Sequence, residues 1–415
     1  MASSNVLSTR TGPRGMPNAS GTVRAANIRA HNRAIVLEMV WWEQSISRAE
    51  IARRTGLSRS TVSNITDELF ETGLLRNAGE GQSIGGKPPK LLGFNDDRYG
   101  ILGVELGATH IGVVLTNLRG RIVHWERVEH DVRGDPEGTL EQLFALITEA
   151  AHRRERGMRR VVGIGVAVPT PVDPAKPNAF SPRVLPKWGD VRLSDALEAR
   201  FGVPVVVDND ANLGALAECW WGAGRNGRDL AFIKLGTGIG CGFVINQEIH
   251  RGATFLAGEL GHLAIQRDGP LCDCGRPGCL VKYLGRAAVL DRARELCASP
   301  PASIPELIAA AERGEEGATT VLAEAAEHLA VAVVNLVNLV NPATVVFGGG
   351  LSGAGERLLA PISAALLSRY QWASDAKTNL VVSSLGESGI ALGAATAVLA
   401  RALKEPALFE NKLAA

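Results

Sequence analysis

A histidine, His262, stands ten residues ahead of a C-x-C-x4-C cluster made by Cys272, Cys274 and Cys279. Three thiolates and one imidazole fill the tetrahedron of a zinc ion and leave no open position, which is the donor set of a structural site. Three buried free thiols are the alternative reading; Cys219, Cys241 and Cys297, spread singly, read as small core residues. Glu259 lies three residues before His262, one helical turn, so both could face one ligand. Upstream, Gly236, Gly238, Gly240 and Gly242 alternate around Thr237. Glycines so placed let backbone N–H groups approach phosphate oxygens that a Cβ would obstruct, although a tight hairpin in a buried sheet gives the same run. Within Asp208-Asn209-Asp210, Asp210 could take the proton of a hydroxyl attacking a phosphate, or simply hydrogen-bond that hydroxyl. A strand-end turn and helix cap fit the same three residues.

A second set of polar residues lies near the N-terminus. Val62, Ile65 and Leu69 form an apolar stripe, which leaves Arg59, Ser60, Thr61, Ser63 and Asn64 facing outward. Placed on the second helix of a helix-turn-helix, these side chains reach phosphates and base edges in the major groove; arginine pairs with guanine and asparagine with adenine. Lys87 is spaced for a phosphate or minor-groove contact from a hairpin. A three-helix interaction domain with a solvated polar face is the alternative, and the coincidence of hairpin, basic bias and short polar helix disfavours it.

The elements that must position these groups follow from pattern. Apolar residues from Asn27 onward recur at helical spacing; Ser47 caps a second helix to Thr55, with Glu50 completing a capping box; Gly56 turns the chain; Ser58 caps a third helix that stops at Gly73. Leu74–Arg76 and Leu91-Leu92 then flank a glycine-rich tip, giving a wing. From Tyr99 strands alternate with helices: a meander over 101–127, a helix near 139–153, a buried strand over 161–167 and another ending at Asp208. A second series starts at Leu230 and runs through Val345-Val346-Phe347 to a last helix near 390–402. The expected organisation is a flexible basic tail over 1–21, a winged helix-turn-helix over 22–95, and two α/β lobes over about 96–220 and 221–390, with the last helix packing back on the first lobe. The fold class is α/β, with a cleft between the lobes.

Charge separates the two parts. Residues 1–95 carry 12 basic against 7 acidic residues, with no acid before Glu38, leaving 32 of the 44 basic and 36 of the 43 acidic residues to the remainder. That asymmetry suits an N-terminal part meeting a polyanion. With 46% hydrophobic and 21% charged residues the chain is neither disordered nor fibrous. Leu329–Val340, its most apolar stretch, is interrupted by Asn335 and Asn338 and is too short for a membrane span; Met1–Gly21 lacks an apolar signal core. A cytoplasmic protein is expected.

The motifs also carry a family resemblance. Gly103–Gly112, with Gly107 and Thr109, looks like the first phosphate loop of actin-like sugar kinases. Asn209–Asn212 resembles their catalytic aspartate segment, Leu235–Gly242 their second phosphate loop, and Phe347–Ser352, with Gly349, their adenosine loop. Ala257–His262 followed by Cys272–Leu280 resembles the signature of the ROK family of repressors, open reading frames and kinases. The likeness runs from about residue 99 to 400, and with the N-terminal reader the whole chain resembles the family's repressor branch. It implies a two-lobed actin-like fold, sugar contacts from Asn209, Asp210, Glu259 and His262, and a zinc whose work is to hold the loop of Glu259 at the sugar. It also implies ATP with magnesium on loops that here depart from the kinase pattern. Glu105, Ala108 and His110 replace the usual Asp, second Gly and frequent Lys; Val281 replaces a sugar-binding Glu; Pro169-Thr170 replaces Pro-Gly.

Three functions are therefore in play: a DNA-binding repressor that senses a sugar, an ATP-dependent sugar kinase with an accessory domain and Asp210 as base, and a scaffold with relic sites. The reader favours the first, the worn phosphate loop counts against the second, and the intact cysteine cluster counts against the third. The expected partners are an operator duplex, a sugar effector and further copies of the chain as a dimer or tetramer, without a membrane.

Overall fold

The structure, a computed structural model, describes residues 25–82, 88–155, 157–225, 227, 229–369 and 378–410. The expected tail and the wing residue Lys87 lie outside the described residues.

Three helices come first: α1 (Ala25–Glu43), α2 (Arg48–Thr55) and α3 (Arg59–Glu71), with a two-residue strand β1 (Ile46–Ser47) between α1 and α2. The Ser47 hydroxyl accepts the Glu50 N–H at 3.2 Å. The Glu50 carboxylate, however, accepts from Arg53 at 2.6 and 2.8 Å, so only half of the expected capping box forms. Gly56 ends α2 at φ +72°, a left-handed conformation that glycine takes without a Cβ penalty. Ser58 caps α3 by accepting the Thr61 N–H, and Val62, Ile65 and Leu69 are buried. Strands β2 (Leu75–Glu80) and β3 (Lys90–Phe94) pair antiparallel as the wing, and β1 joins the far side of β3. Two residues are too few to show a strand pattern in sequence.

The first lobe contains β4 (Gly100–Leu106), β5 (His110–Asn117), β6 (Ile122–Glu129), α4 (Pro136–His152), β7 (Val161–Val168), α5 (Leu193–Phe201), β8 (Val205–Asn209) and α6 (Asp210–Trp221). Its sheet runs β6-β5-β4-β7-β8, antiparallel through β4 and parallel beyond it. The second lobe contains β9 (Leu230–Leu235), β10 (Ile239–Ile245), β11 (Glu248–Ile249), α7 (Val281–Leu284), α8 (Arg286–Leu296), α9 (Ile304–Glu312), α10 (Glu316–Val340), β12 (Thr344–Gly348), α11 (Glu356–Arg369) and β13 (Asn379–Val382). Its order, β11-β10-β9-β12-β13, repeats the first sheet's topology strand for strand. By length and composition α10 is the one helix among the described residues apolar enough to cross a membrane; its Val321, Leu322, Leu329, Val333 and Leu336 instead lie in the second lobe's core.

The last helix, α12 (Gly389–Lys404), returns to the first lobe and packs on β4, β7 and α6. It also joins the lobe to the reader. Val36, Leu37, Val40, Ile51, Val62 and Leu69 share one core with Tyr99, Ile101 and Leu118 of the first lobe and Val398, Leu399 and Leu403 of α12. Each such side chain stabilises by about 1.5–3 kcal/mol when removed from water, so a reader moving alone would expose a costly surface. The connection over 95–98 is pinned as well: Asp96 takes Arg119, and Asp97 takes Asn117 and Arg121.

Candidate functional site

Between the lobes lies a cleft of about 1430 Å³. Its floor forms where β8 hands over to α6. The Asn209 side-chain carbonyl accepts the N–H groups of Ala211 and Asn212 at 3.0 and 3.2 Å, capping the helix, and its amide donates to the Thr170 carbonyl at 3.3 Å. Asn209 thus first shapes the floor. Asp210 follows, with Oδ1 accepting its neighbour's N–H at 2.7 Å and Oδ2 accepting from the Lys234 ammonium at 2.5 Å. The close approach depends on Gly242 of β10, where a Cβ would meet the Ala211 carbonyl oxygen at 2.1 Å.

Lys234, on β9, also stands 3.6 Å from Glu105 at the end of β4, so one ammonium spans both lobes. Burial pulls Lys234 down, yet the carboxylates of Asp210 and Glu105 outweigh it and hold the ammonium above its ordinary range. Glu105 shows the complementary balance: burial pushes it up, while the His110 hydrogen bond and the charges of Lys234, His110 and Arg127 hold it down. The His110 ring lies against Gly107 so closely that a Cβ there would be 2.1 Å from it. Thr109 is exposed beside that loop. On the facing wall Gly236, Thr237, Gly238 and Gly349 line the cleft, and the Gly236 N–H is already given to the Gly238 carbonyl at 3.1 Å.

Glu259 enters the cleft from a tight turn. Gly258 adopts φ +92°, and a Cβ on it would sit 1.7 Å from the Cys241 carbonyl oxygen, so only glycine brings this loop against β10. Glu259 keeps an exposed edge at the cleft mouth, but the walls around its carboxyl push it above the usual carboxylate range, with His262 opposing and Asp210 adding to the effect. His262 closes the same turn, and both residues face the cleft, as does Val281 at the start of α7. The expected sugar residues Asn209, Asp210, Glu259 and His262 therefore border one space.

Behind them, one ligand atom each of His262, Cys272, Cys274 and Cys279 lies within 4.8 Å of all the others. Cys272 Sγ is 3.6 Å from His262 Nδ1, and the sulfurs of Cys274 and Cys279 are 3.6 Å apart. A tetrahedral ion with bonds of about 2.3 Å to sulfur requires sulfur separations of about 3.8 Å. Burial and its sulfur neighbours push the Cys279 thiol up to about 12, whereas the Arg276 backbone N–H leads in holding Cys274 down. Three sulfurs and one imidazole nitrogen gathered this closely can hold a metal. Arg183 of the first lobe reaches across to donate to the Cys274 carbonyl at 3.4 Å.

In the reader, Arg59, Ser60 and Asn64 are exposed at the start of α3, with Thr61 and Ser63 half-buried beside them. Ser60 and Thr61 exchange hydrogen bonds with the Ser58 hydroxyl at 2.9 and 2.8 Å, and Ser63 reaches Asp67 at 3.5 Å. The arginines of α2 are committed: Arg48 to Asp67, Arg53 to Glu50, Arg54 to Glu43. Arg59 and Asn64 keep their donors turned to solvent.

Two features escaped the sequence reading. Lys234 sits in a strand whose neighbours are apolar, and nothing local announces its partners. The other is a seam of four tryptophans. Trp41, 2% exposed, packs at a tilt 5.1 Å from Trp220 and lies 6.1 Å from Trp221, while Trp42 is 5.5 Å from Trp220. The first pair belongs to α1 of the reader and the second ends α6, whose other end carries Asp210. The two Trp-Trp doublets were the available signal.

Residues 101–401 match the ROK family, and residues 43–79 match the IclR helix-turn-helix domain. A xylose repressor of Caldicellulosiruptor bescii is 31% identical over 90% of this chain and 97% of its own length. A glucokinase of Thermotoga maritima is 32% identical, but over 72% of this chain and 98% of its own. A solved ROK family transcriptional regulator, a homologue of the Escherichia coli MLC protein, superposes over 92% of this chain and 98% of its own with a TM-score of 0.76 at 24% identity.

Proposed function

Because the chain belongs to the ROK family, we propose that it is a sugar-responsive transcriptional repressor: the reader holds an operator, and a sugar in the interlobe cleft changes how it is held. The observation that carries this reading is the direct joining of the two sites. Helix α6 begins at Asp210 in the cleft and ends at the tryptophan seam under the reader, about 18 Å away at 1.5 Å per residue. A ligand that favours one arrangement of the lobes must then also favour one placement of the readers.

The effector we favour is a small neutral sugar of the pentose class. Val281 offers an apolar wall where a carboxylate would be needed to bind one more hydroxyl, and xylose repressors are among the full-length relatives. Asp210, Glu259 and His262 Nε2 are the sugar's partners, with Asn209 holding the floor. Zinc is the metal we assign to His262, Cys272, Cys274 and Cys279; its work is to fix the turn that presents Glu259 and the His262 ring. One reader covers one half-site, so a dimer on a palindromic operator is the working assembly, in the cytoplasm where the operator lies. Arg59 and Asn64 read bases; Ser60, Thr61, Ser63 and Lys87 contact the backbone. A sugar kinase is disfavoured because His110 covers Gly107 and Lys234 occupies Asp210.

A thermal-shift panel of xylose, glucose, N-acetylglucosamine, their phosphates and ATP tests the assignment. Xylose should raise the melting temperature and Glu259→Ala should abolish the rise. Stabilisation by ATP and not by any sugar would overturn the reading.

A further inference from the structure

The floor of the cleft holds two carboxylates aimed at one point. Asp210 and Glu105 come from different elements, their side chains are 8% and 5% exposed, and both face the Lys234 ammonium, at 2.5 and 3.6 Å. Two enclosed carboxylates converging at the end of a polar cleft are the chelate that a divalent cation takes up, since each oxygen gains a strong ligand bond and the excess negative charge is neutralised. Here that point is already filled by a side chain. The lysine reaches it from β9, the strand that leads into the Gly236–Gly238 loop, so its stem also runs beneath that loop: a Cβ on Gly236 would meet Lys234 Cε at 3.6 Å. His110 closes the other side, bonded to Glu105 and pressed on Gly107.

We propose that Lys234 is a built-in cation that takes the divalent-metal position between Glu105 and Asp210, and thereby makes the cleft a receptor for sugar without metal or nucleoside triphosphate. The inference rests on the reading of the cleft as a sugar site and adds what decides its specificity. An ammonium neutralises one charge, has its dehydration cost met once, in folding, and cannot dissociate. A phosphate chain brings its own divalent ion and has nowhere to set it, because the ion and the ammonium compete for the same oxygens. A sugar needs only the outer lone pairs of Asp210 and the groups of Glu259 and His262, which the lysine leaves open. As Lys234 and Glu105 belong to opposite lobes, the same ammonium also ties the lobes together at the floor of the cleft.

The test reads metal binding, so a failure of the sugar reading would show separately in the thermal-shift panel. The zinc-loaded full chain is titrated with Mn2+ and the free ion is followed by electron paramagnetic resonance. The wild type and Asp210→Asn should bind Mn2+ alike, showing no occupancy that depends on Asp210. Lys234→Met, of similar length without the charge, should gain one site per chain with affinity raised about a hundredfold or more, because a positive charge is removed from a few ångströms away in an enclosed site. Asp210→Asn added to Lys234→Met should remove that site, and Lys234→Arg, which keeps the charge, should not create it. Asp210-dependent Mn2+ binding by the wild type would overturn the proposal, and that comparison stands even if Lys234→Met does not fold. A folded Lys234→Met that gains no Mn2+ would overturn it equally.

Discussion

Replacing Trp41 by alanine probes the seam that joins reader and sugar-binding lobes. Trp41 is almost wholly buried, donates its indole N–H to the Leu118 carbonyl at 2.9 Å, carries the Arg119 guanidinium 4.4 Å above its ring and packs at a tilt against Trp220 at 5.1 Å. Truncating a buried tryptophan costs about 3–5 kcal/mol through lost burial and the cavity left behind. The upper half of that range applies here, because the Leu118 carbonyl loses its donor and a lost hydrogen bond adds about 1 kcal/mol. Most of the loss should fall on docking of the reader rather than on either lobe, since the other walls of the cavity are Trp42, Trp220, Trp221 and Arg119. Urea unfolding followed by tryptophan fluorescence, with limited proteolysis between α3 and β4, should show the reader released before the lobes, where the wild type loses both together. Sugar should then alter operator affinity less than about twofold, against the 5–150-fold that coupling of about 1–3 kcal/mol gives. Cooperative unfolding with undiminished sugar response in Trp41→Ala would refute the seam as the coupling element.

Three further outcomes are expected. Metal analysis should find one zinc per chain in the wild type and none in Cys274→Ser, whose reader stays folded by circular dichroism; metal-free wild type that still responds to sugar would contradict the assigned role. Arg59→Ala should weaken operator binding by about 1–3 kcal/mol and relax discrimination at one base pair, checked by gel shift on a mutated operator set. Finally, Glu105 is held below the ordinary glutamate range, chiefly by His110 and Lys234 against the opposing effect of burial. The unfolded chain then binds the proton first, so the stability that Glu105 contributes is complete above about pH 4.3 and is lost as pH falls through the native value. Denaturation midpoints measured from pH 3 to 6 should fall less steeply in Glu105→Gln than in the wild type; equal slopes would reject this balance.

Much of the architecture is written in local signals. Ser47, Gly56 and Ser58 each mark a helix end by a capping bond or a left-handed turn that depends on neighbours within four residues, and the structure has them in those roles. The strand and helix alternation beyond Tyr99 is likewise a matter of local periodicity. The cysteine cluster is legible because four residues that can hold one metal fall close together in the chain. What sequence could not convey are meetings made only by folding. Lys234 finds Asp210 and Glu105 because β9 meets the start of α6 and the end of β4 at the cleft floor, and its own neighbours, Ile233 and Leu235, spell an ordinary buried strand. Asn209 reads equally as cap and ligand until the Ala211 and Asn212 bonds are seen. The seam pairs Trp41 with Trp220 through the packing of α1 against α6, which no periodicity encodes.

The central claim, that one chain couples a sugar in the cleft to an operator under the reader, is tested most directly by operator affinity with and without sugar in the wild type and Glu259→Ala. Fluorescence anisotropy on a labelled operator should show xylose changing wild-type affinity by roughly 5–150-fold. The Glu259→Ala protein should bind the operator as tightly as the sugar-free wild type and ignore the sugar, because the substitution removes a cleft contact and leaves α3 untouched. Wild-type affinity that stays constant across every sugar tested, or a folded Glu259→Ala protein that no longer binds the operator, would contradict the account.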